Sequence, residues 1–155
     1  MKILRQTDPA WKNLSLGGSK LTIGGYGCTS TALAEGNNRF GAQCTPVDVS
    51  NHREFYNDSG EILWDRLTLQ FIKFEPNGRE YKYNEARVFE SLTNPKKCVL
   101  LQVDFPRFGK HWVFGEALGS ENVVYARDPY YGDICDVKRR YGAITGSAHF
   151  TSNLK

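Results

Sequence analysis

No stretch of this chain approaches the roughly 18 consecutive apolar residues that a membrane-spanning helix needs, so no membrane span is expected. The first eight residues, Met1-Lys2-Ile3-Leu4-Arg5-Gln6-Thr7-Asp8, lack the apolar core of a secretory signal. The expectation is a cytoplasmic protein, or one exported or packaged by a signal-independent route. The four cysteines, Cys28, Cys44, Cys98 and Cys135, contain no C-x-x-C pair. That argues against a zinc site, and no metal or other cofactor is expected. All four read as reduced thiols. The basic residues are spread rather than blocked, and 20 Lys and Arg against 17 Asp and Glu leave a net charge of only +3. That argues against a dedicated nucleic-acid surface. What remains is ordinary for a globular chain: 40% hydrophobic and 24% charged residues over 155 positions, enough for one domain spanning 1–155 with its own core. An aromatic share of 13% predicts an aromatic-rich core or groove.

The chain does have a dense run of small residues around one thiol. Ile23-Gly24-Gly25-Tyr26-Gly27 leads into Cys28, and Thr29-Ser30-Thr31-Ala32-Leu33-Ala34 follows. That order predicts a tight glycine loop and then a helix with Cys28 in its first turn. A thiol there meets unpaired backbone N–H groups and the positive end of the helix dipole, both of which favour the nucleophilic thiolate. The glycines leave room for a substrate backbone to approach the sulfur. The same stretch also reads as a plain turn before a helix, with Cys28 a small buried residue.

Far downstream lie Lys110-His111-Trp112-Val113 and Arg127-Asp128-Pro129-Tyr130-Tyr131-Gly132-Asp133. Cys, then His, then Asp is one chain order of a thiol-hydrolase triad, whose members meet in space rather than in sequence. Gln6-Thr7-Asp8-Pro9-Ala10-Trp11, Leu16-Gly17, Thr22-Ile23, Gly27-Cys28 and Thr31-Ala32-Leu33-Ala34 together resemble the amino-terminal half of C39-like (papain-like) cysteine peptidases. His111-Trp112-Val113 and Asp128-Pro129 with Gly132 resemble the carboxy-terminal half. The resemblance runs from about Leu4 to about Tyr141. It implies an α+β papain-like fold, with N-terminal helices packed on a C-terminal antiparallel sheet. It also implies an oxyanion hole made by the Cys28 backbone N–H and the Gln6 side chain. The chain departs from the family where Thr29-Ser30 replaces the usual Gly-Pro, and where the helix after Cys28 looks short.

Local signals along the chain give a coarse layout. Residues 1–22 read as an irregular lead-in, with Trp11, Leu14 and Leu16 against the core. Glu35-Gly36-Asn37-Asn38 predicts the exit of the Cys28 helix. Thr45-Pro46 predicts a capped helix running to about Tyr56, with His52 on its surface. Ile62, Leu63, Leu67 and Phe71 sit at helical spacing and predict a helix over 61–71. Residues 74–79 read as a turn, and 84–92 as a third helix. From Cys98 the texture turns to strand, with strands over 99–105, 111–117 and 122–127 and a hairpin-like loop at 106–110. Helices first and antiparallel strands second make an α+β layout rather than alternating βαβ. His149 reads as an exposed residue of a polar tail.

The functional expectation is a cysteine peptidase or amidase. His111 takes the Cys28 proton and Asp128 orients the ring, with Asp133 a weaker substitute. Tyr26, Gly27, Trp112 and Tyr130 would line a groove for a peptide or peptidoglycan-peptide substrate. Two other classes stay open: a peptidase-like domain that binds peptide or cell-wall material without cutting it, and a structural part of a larger assembly. His111 equally reads as a strand-end surface residue, Asp128 as a turn former and Gln6 as a solvated one.

Overall fold

The apolar run near Cys98 becomes the middle of a six-stranded sheet. The computed structural model describes residues 2–106 and 109–154. Among them the strands are β1 (Ile72–Glu80), β2 (Lys97–Phe105), β3 (Gly109–Leu118), β4 (Val124–Asp128), β5 (Asp133–Asp136) and β6 (Ile144–Ser152). Their order is β1-β6-β2-β3-β4-β5, with every neighbouring pair antiparallel. Successive strand residues point to opposite faces, and β2 is apolar on both. Cys98 and Leu100 join Trp112, Phe114 and Phe150 in one core cluster, while Val99, Leu101 and Val103 join Val113, Val124 and Ile144 in another. A strand covered on both faces shows a continuous apolar run instead of alternation.

Five α-helices occur among the described residues: α1 (Ile23–Tyr26), α2 (Cys28–Arg39), α3 (Pro46–Ser50), α4 (Glu85–Thr93) and α5 (Val137–Tyr141). Ala32, Leu33 and Ala34 of α2 belong to the first cluster, and Val88 of α4 and Val137 of α5 to the second. The fold is α+β, but the expected separation of helices and strands is only approximate. β1 precedes α4, and α5 lies between β5 and β6. No helix among the described residues is long and apolar enough to cross a membrane.

Several local expectations are overturned by long-range partners. α2 does not stop at Glu35 but runs on to Arg39. Asn37 Oδ1 accepts from Phe71 N at 2.8 Å, and Asn38 holds both Cys44 N (2.6 Å) and Cys44 O (2.8 Å). These side chains serve tertiary contacts, not a helix exit. Gly36 lets the helix lie close on the sheet, since a Cβ there would sit 3.1 Å from Ile72 Cδ1. Thr45 starts α3 with a reciprocal cap to Asp48, as expected, but the helix ends at Ser50 and a 3-10 turn covers Arg53–Phe55.

No helix forms over 61–71. Trp64–Arg66 is a 3-10 turn, and Leu67 and Leu69 are buried while Thr68 and Gln70 are exposed, a period of two. Leu69 N donates to Ile72 O and Phe74 N to Leu67 O, folding the segment back on β1. The turn expected at 74–79 lies inside β1, where the register against β6 breaks between Phe74 and Arg79 and Asn77 has φ 53°. Pro76-Asn77-Gly78 makes a bulge rather than a strand end. Asn84 does cap α4, accepting from Arg87 N. The loop expected at 106–110 falls partly outside the described residues.

His149 is no tail residue. It lies in β6, fully buried, with Nδ1 2.7 Å from Ser91 Oγ and Nε2 2.8 Å from Ser147 Oγ.

Candidate active site

A buried carboxylate fixes the lead-in segment beside α2. Glu35 accepts from Leu4 N through Oε1 (2.5 Å) and from Arg127 Nη1 through Oε2 (2.8 Å). Arg127 Nε also donates to Glu116 Oε2 at 2.7 Å. Gln6 N donates to Pro129 O at 2.8 Å. The chain start is thereby tied to α2 and to the end of β4, and Gln6 is buried there. Its Nε2 donates to Gly24 O at 3.1 Å, four residues before Cys28, while Oε1 has no partner among the described residues.

The expected glycine loop is in fact helical. α1 and α2 abut at Gly27, whose N–H donates to Ile23 O at 2.8 Å. A Cβ on Gly27 would lie 2.4 Å from Ile23 O, so the close approach of the two turns demands glycine. Gly27 is therefore buried behind the thiol instead of opening a path to it. Cys28 is the half-buried first residue of α2.

His111 lies on β3 and Asp128 ends the neighbouring β4. The register Phe114↔Arg127 sets Asp128 opposite Val113, so His111 is two residues along on the same face. That diagonal brings His111 Nε2 to 2.9 Å from Asp128 Oδ1. The ring and the Cys28 thiol also act on each other's ionisation, each favouring the charged form of the other. With Nε2 given to Asp128, Nδ1 is the nitrogen left for sulfur. His111 and Asp128 are both buried, so neither is a solvated strand end or a bare turn former.

Asp128 collects four donors. Oδ1 also accepts from Tyr130 N (3.0 Å), and Oδ2 accepts from Arg140 Nη1 (3.1 Å) and from the Tyr141 hydroxyl. Arg140 in turn grips Asp133 with both terminal nitrogens at 2.7 Å. Asp133 thus anchors the arginine that holds Asp128. Burial works against ionisation of Asp128, but the His111 and Tyr141 hydrogen bonds outweigh it and keep the carboxyl below its usual range.

The same competition sets the other two groups. Burial opposes charge on His111, yet Asp128 and Cys28 raise its pKa to about 9. Burial opposes the Cys28 thiolate, yet the hydrogen bond and charge of His111, the Trp112 backbone N–H and the Thr29 hydroxyl bring its pKa below the ordinary thiol value. At the remaining thiols burial outweighs the lowering influence of Asn37, Arg39 and Arg140. Burial pushes Cys44 and Cys135 up to about 11 and Cys98 up to about 12. All four cysteines are free.

Two cavities flank this group. One, of about 600 Å³, is lined by Thr7, Gly24, Gly25, Phe105, His111 and Tyr130, and the other, of about 640 Å³, by Thr29, Ser30, Tyr56, Trp64, Arg79 and Trp112. Tyr26 and Lys110 line both, and Tyr26 is 61% exposed. Of the residues expected in a groove, Tyr26 and Tyr130 border open space. Trp112 is largely buried against Trp64, with ring centroids 4.8 Å apart, and meets the thiol through its backbone.

The sequence does not mark Arg140, Tyr141 or Arg79 as site residues, and it marks Thr29 only as a departure from the family pattern. Asp136, whose side chain accepts from Arg139 N at 3.1 Å, is a capping signal for α5 that would have found the helix. Nothing local marks Tyr141 or Arg140 as partners of Asp128. No protein-family model and no curated protein matches the chain.

Proposed function

We propose that the chain is a papain-like cysteine hydrolase that cuts a peptide amide bond, in a peptide or a peptidoglycan stem or cross-link, through a Cys28 thioester. The observation that carries this reading is one imidazole, His111, hydrogen-bonded to a buried carboxylate and favouring the thiolate of a cysteine at a helix start. One cavity is bordered by His111 itself, and the other by Thr29 next to Cys28 and Trp112 next to His111.

The steps follow from the geometry. The Cys28 thiolate attacks the substrate carbonyl and forms the C–S bond. The resulting oxyanion takes hydrogen bonds from the Cys28 backbone N–H and from the Gln6 carboxamide, whose nitrogen turns from Gly24 O to the new charge. One such donor is worth about 10²–10³ in rate. His111, protonated at Nδ1, gives its proton to the leaving amine as the C–N bond breaks. It then takes a proton from water, which attacks the thioester and releases the acid and the thiolate. Asp128 keeps the ring in place and stabilises its cationic form.

The test is to incubate the protein with mixtures of synthetic peptides, including Gly-Gly-containing ones, and with muropeptides. Cleavage together with an acyl adduct on Cys28 by mass spectrometry is expected, and Cys28→Ala abolishes both. Binding without cleavage or adduct, in a protein whose Cys28 alkylates like a free thiol, leaves a non-cutting peptide-binding domain instead.

A further inference from the structure

The cavity on the Thr29 and Trp112 side is lined by an arginine with no ion-pair partner among the described residues. Arg79 projects from the bulged strand β1 into a cage of three rings, its guanidinium carbon 4.2 Å from the Tyr81 centroid, 4.8 Å from Trp112 and 5.9 Å from Trp64. Its polar contacts are neutral: Nη1 donates to Glu80 O, and Nη2 donates to Gln102 Oε1 at 3.2 Å. No carboxylate among the described residues lies within ion-pair distance of it, whereas the other arginines near the sheet, Arg39, Arg87, Arg127 and Arg140, each have at least one. Loss of hydration, offset only in part by the Tyr81 phenol, lowers its pKa. The cage and the amide oxygens hold the planar fork in one orientation, which is the arrangement that suits a carboxylate.

The surroundings favour the same ligand. Lys110 lines the cavity too, though Asp104 pairs with it at 2.5 Å. The one acid in the lining, Glu61, is tied to Asn57 Nδ2 at 3.0 Å. Tyr81, 76% exposed, and Tyr26 stand in the same lining as apolar contact area. The cavity reaches Thr29 and Ser30 beside Cys28 and Trp112 beside His111, so a chain bound across the thiol has one flank in it.

We infer that Arg79 is the specificity-determining residue of this cleft, taking a carboxylate of the substrate on the Trp112 flank of the bond attacked by Cys28. This rests on the hydrolase reading for the word substrate, but not for the binding itself. The carboxylate belongs either to an acidic side chain or to a free chain end.

Alkylation of Cys28 reads the site without requiring hydrolysis. The probes are the α-amides of iodoacetyl-glutamate and iodoacetyl-glutamine, which differ by one charge, and iodoacetyl-glycine against iodoacetyl-glycinamide, which places that charge at a chain end. The quantity is the ratio of charged to neutral rate at low salt, in the unaltered protein and in Arg79→Gln and Arg79→Lys. The ratio in the unaltered protein is expected to exceed that of Arg79→Gln by about tenfold, to fall as salt is added, and to survive largely in Arg79→Lys. Whichever pair shows the larger ratio identifies the carboxylate. A ratio unchanged by Arg79→Gln, or insensitive to salt in the unaltered protein, overturns the inference whether or not peptides are cut. The expected ratio in a protein that cuts no peptide keeps the anion site and removes only the hydrolase.

Discussion

His111 and His149 lie buried in the same antiparallel sheet, and their surroundings drive them to opposite charge states. Burial opposes the cationic form of both. His111 meets a carboxylate and a thiol, and its pKa rises to about 9. His149 meets two serine hydroxyls, Ser91 and Ser147, which serve a neutral ring equally well, and its pKa falls to about 4. The difference between a reactive imidazole and a structural one is thus not burial but the charge of the two nearest partners. The thiols repeat the lesson. Cys98 is as enclosed as any residue of the core and is pushed up to about 12, while Cys28 beside His111 is brought down.

The largest effect should come from deleting the charged histidine. His111→Ala is expected to cost about 10⁴-fold or more in kcat on any peptide the protein cuts. His149→Gln, in a chain that still folds, should leave the pH profile of that reaction where it was. A profile that moves with His149 rather than His111 would break the comparison.

Asp128→Asn comes next. It removes the main partner that holds His111 charged, and a loss of about 10²–10⁴-fold in kcat is expected. The sign of the accompanying shift is fixed: the high-pH limb of kcat/KM, expected near 9 in the unaltered protein, should move to lower pH. A limb that stays in place would mean that Asp128 does not sustain the imidazolium.

His149 has its own signature in stability. Its folded pKa lies below the unfolded value, so the unfolded chain takes up a proton first as pH falls. Stability should be full above about 6.5 and decline towards about 4. The loss is on the order of 3 kcal/mol, read by urea unfolding at several pH values. His149→Gln should flatten the part of the slope that this ring supplies, and an equal slope in both proteins would contradict the assignment.

Tyr141→Phe is the mildest change. It takes one of four donors from Asp128, and about a tenfold loss in kcat with a small downward shift of the alkaline limb is expected. A general loss of thermal stability with no pH shift would show that the phenol only packs.

How far the sequence announces all this depends on how local each cause is. The reciprocal cap at Thr45 and the cap at Asn84 are written within four residues, and both form. Cys28 at a helix start follows from its immediate neighbours, and the strands after Cys98 follow from their apolar texture. The misreadings turn on tertiary partners, most of them far away in the chain. Asn37 and Asn38 look like a helix exit until Phe71 and Cys44 are seen on them. Pro76-Asn77-Gly78 looks like a turn until β6 continues the ladder past it. His149 looks solvated because the serine that holds its Nδ1 is 58 residues away. Among the candidate site residues, Cys28, His111 and Asp128 could be named from chemistry and chain order. Tyr141 and Arg140 could not, because only the path of α5 brings them to Asp128. Gly27 was named for the wrong reason, since it serves the junction of α1 and α2.

The most direct test of the central claim is the rate of iodoacetamide labelling at Cys28, followed by peptide mapping as a function of pH, in the unaltered protein and in His111→Ala. A midpoint well below about 8.5, the value of a free thiol, is expected in the unaltered protein, and a higher midpoint in the variant. A midpoint at the free-thiol value in both proteins would contradict it.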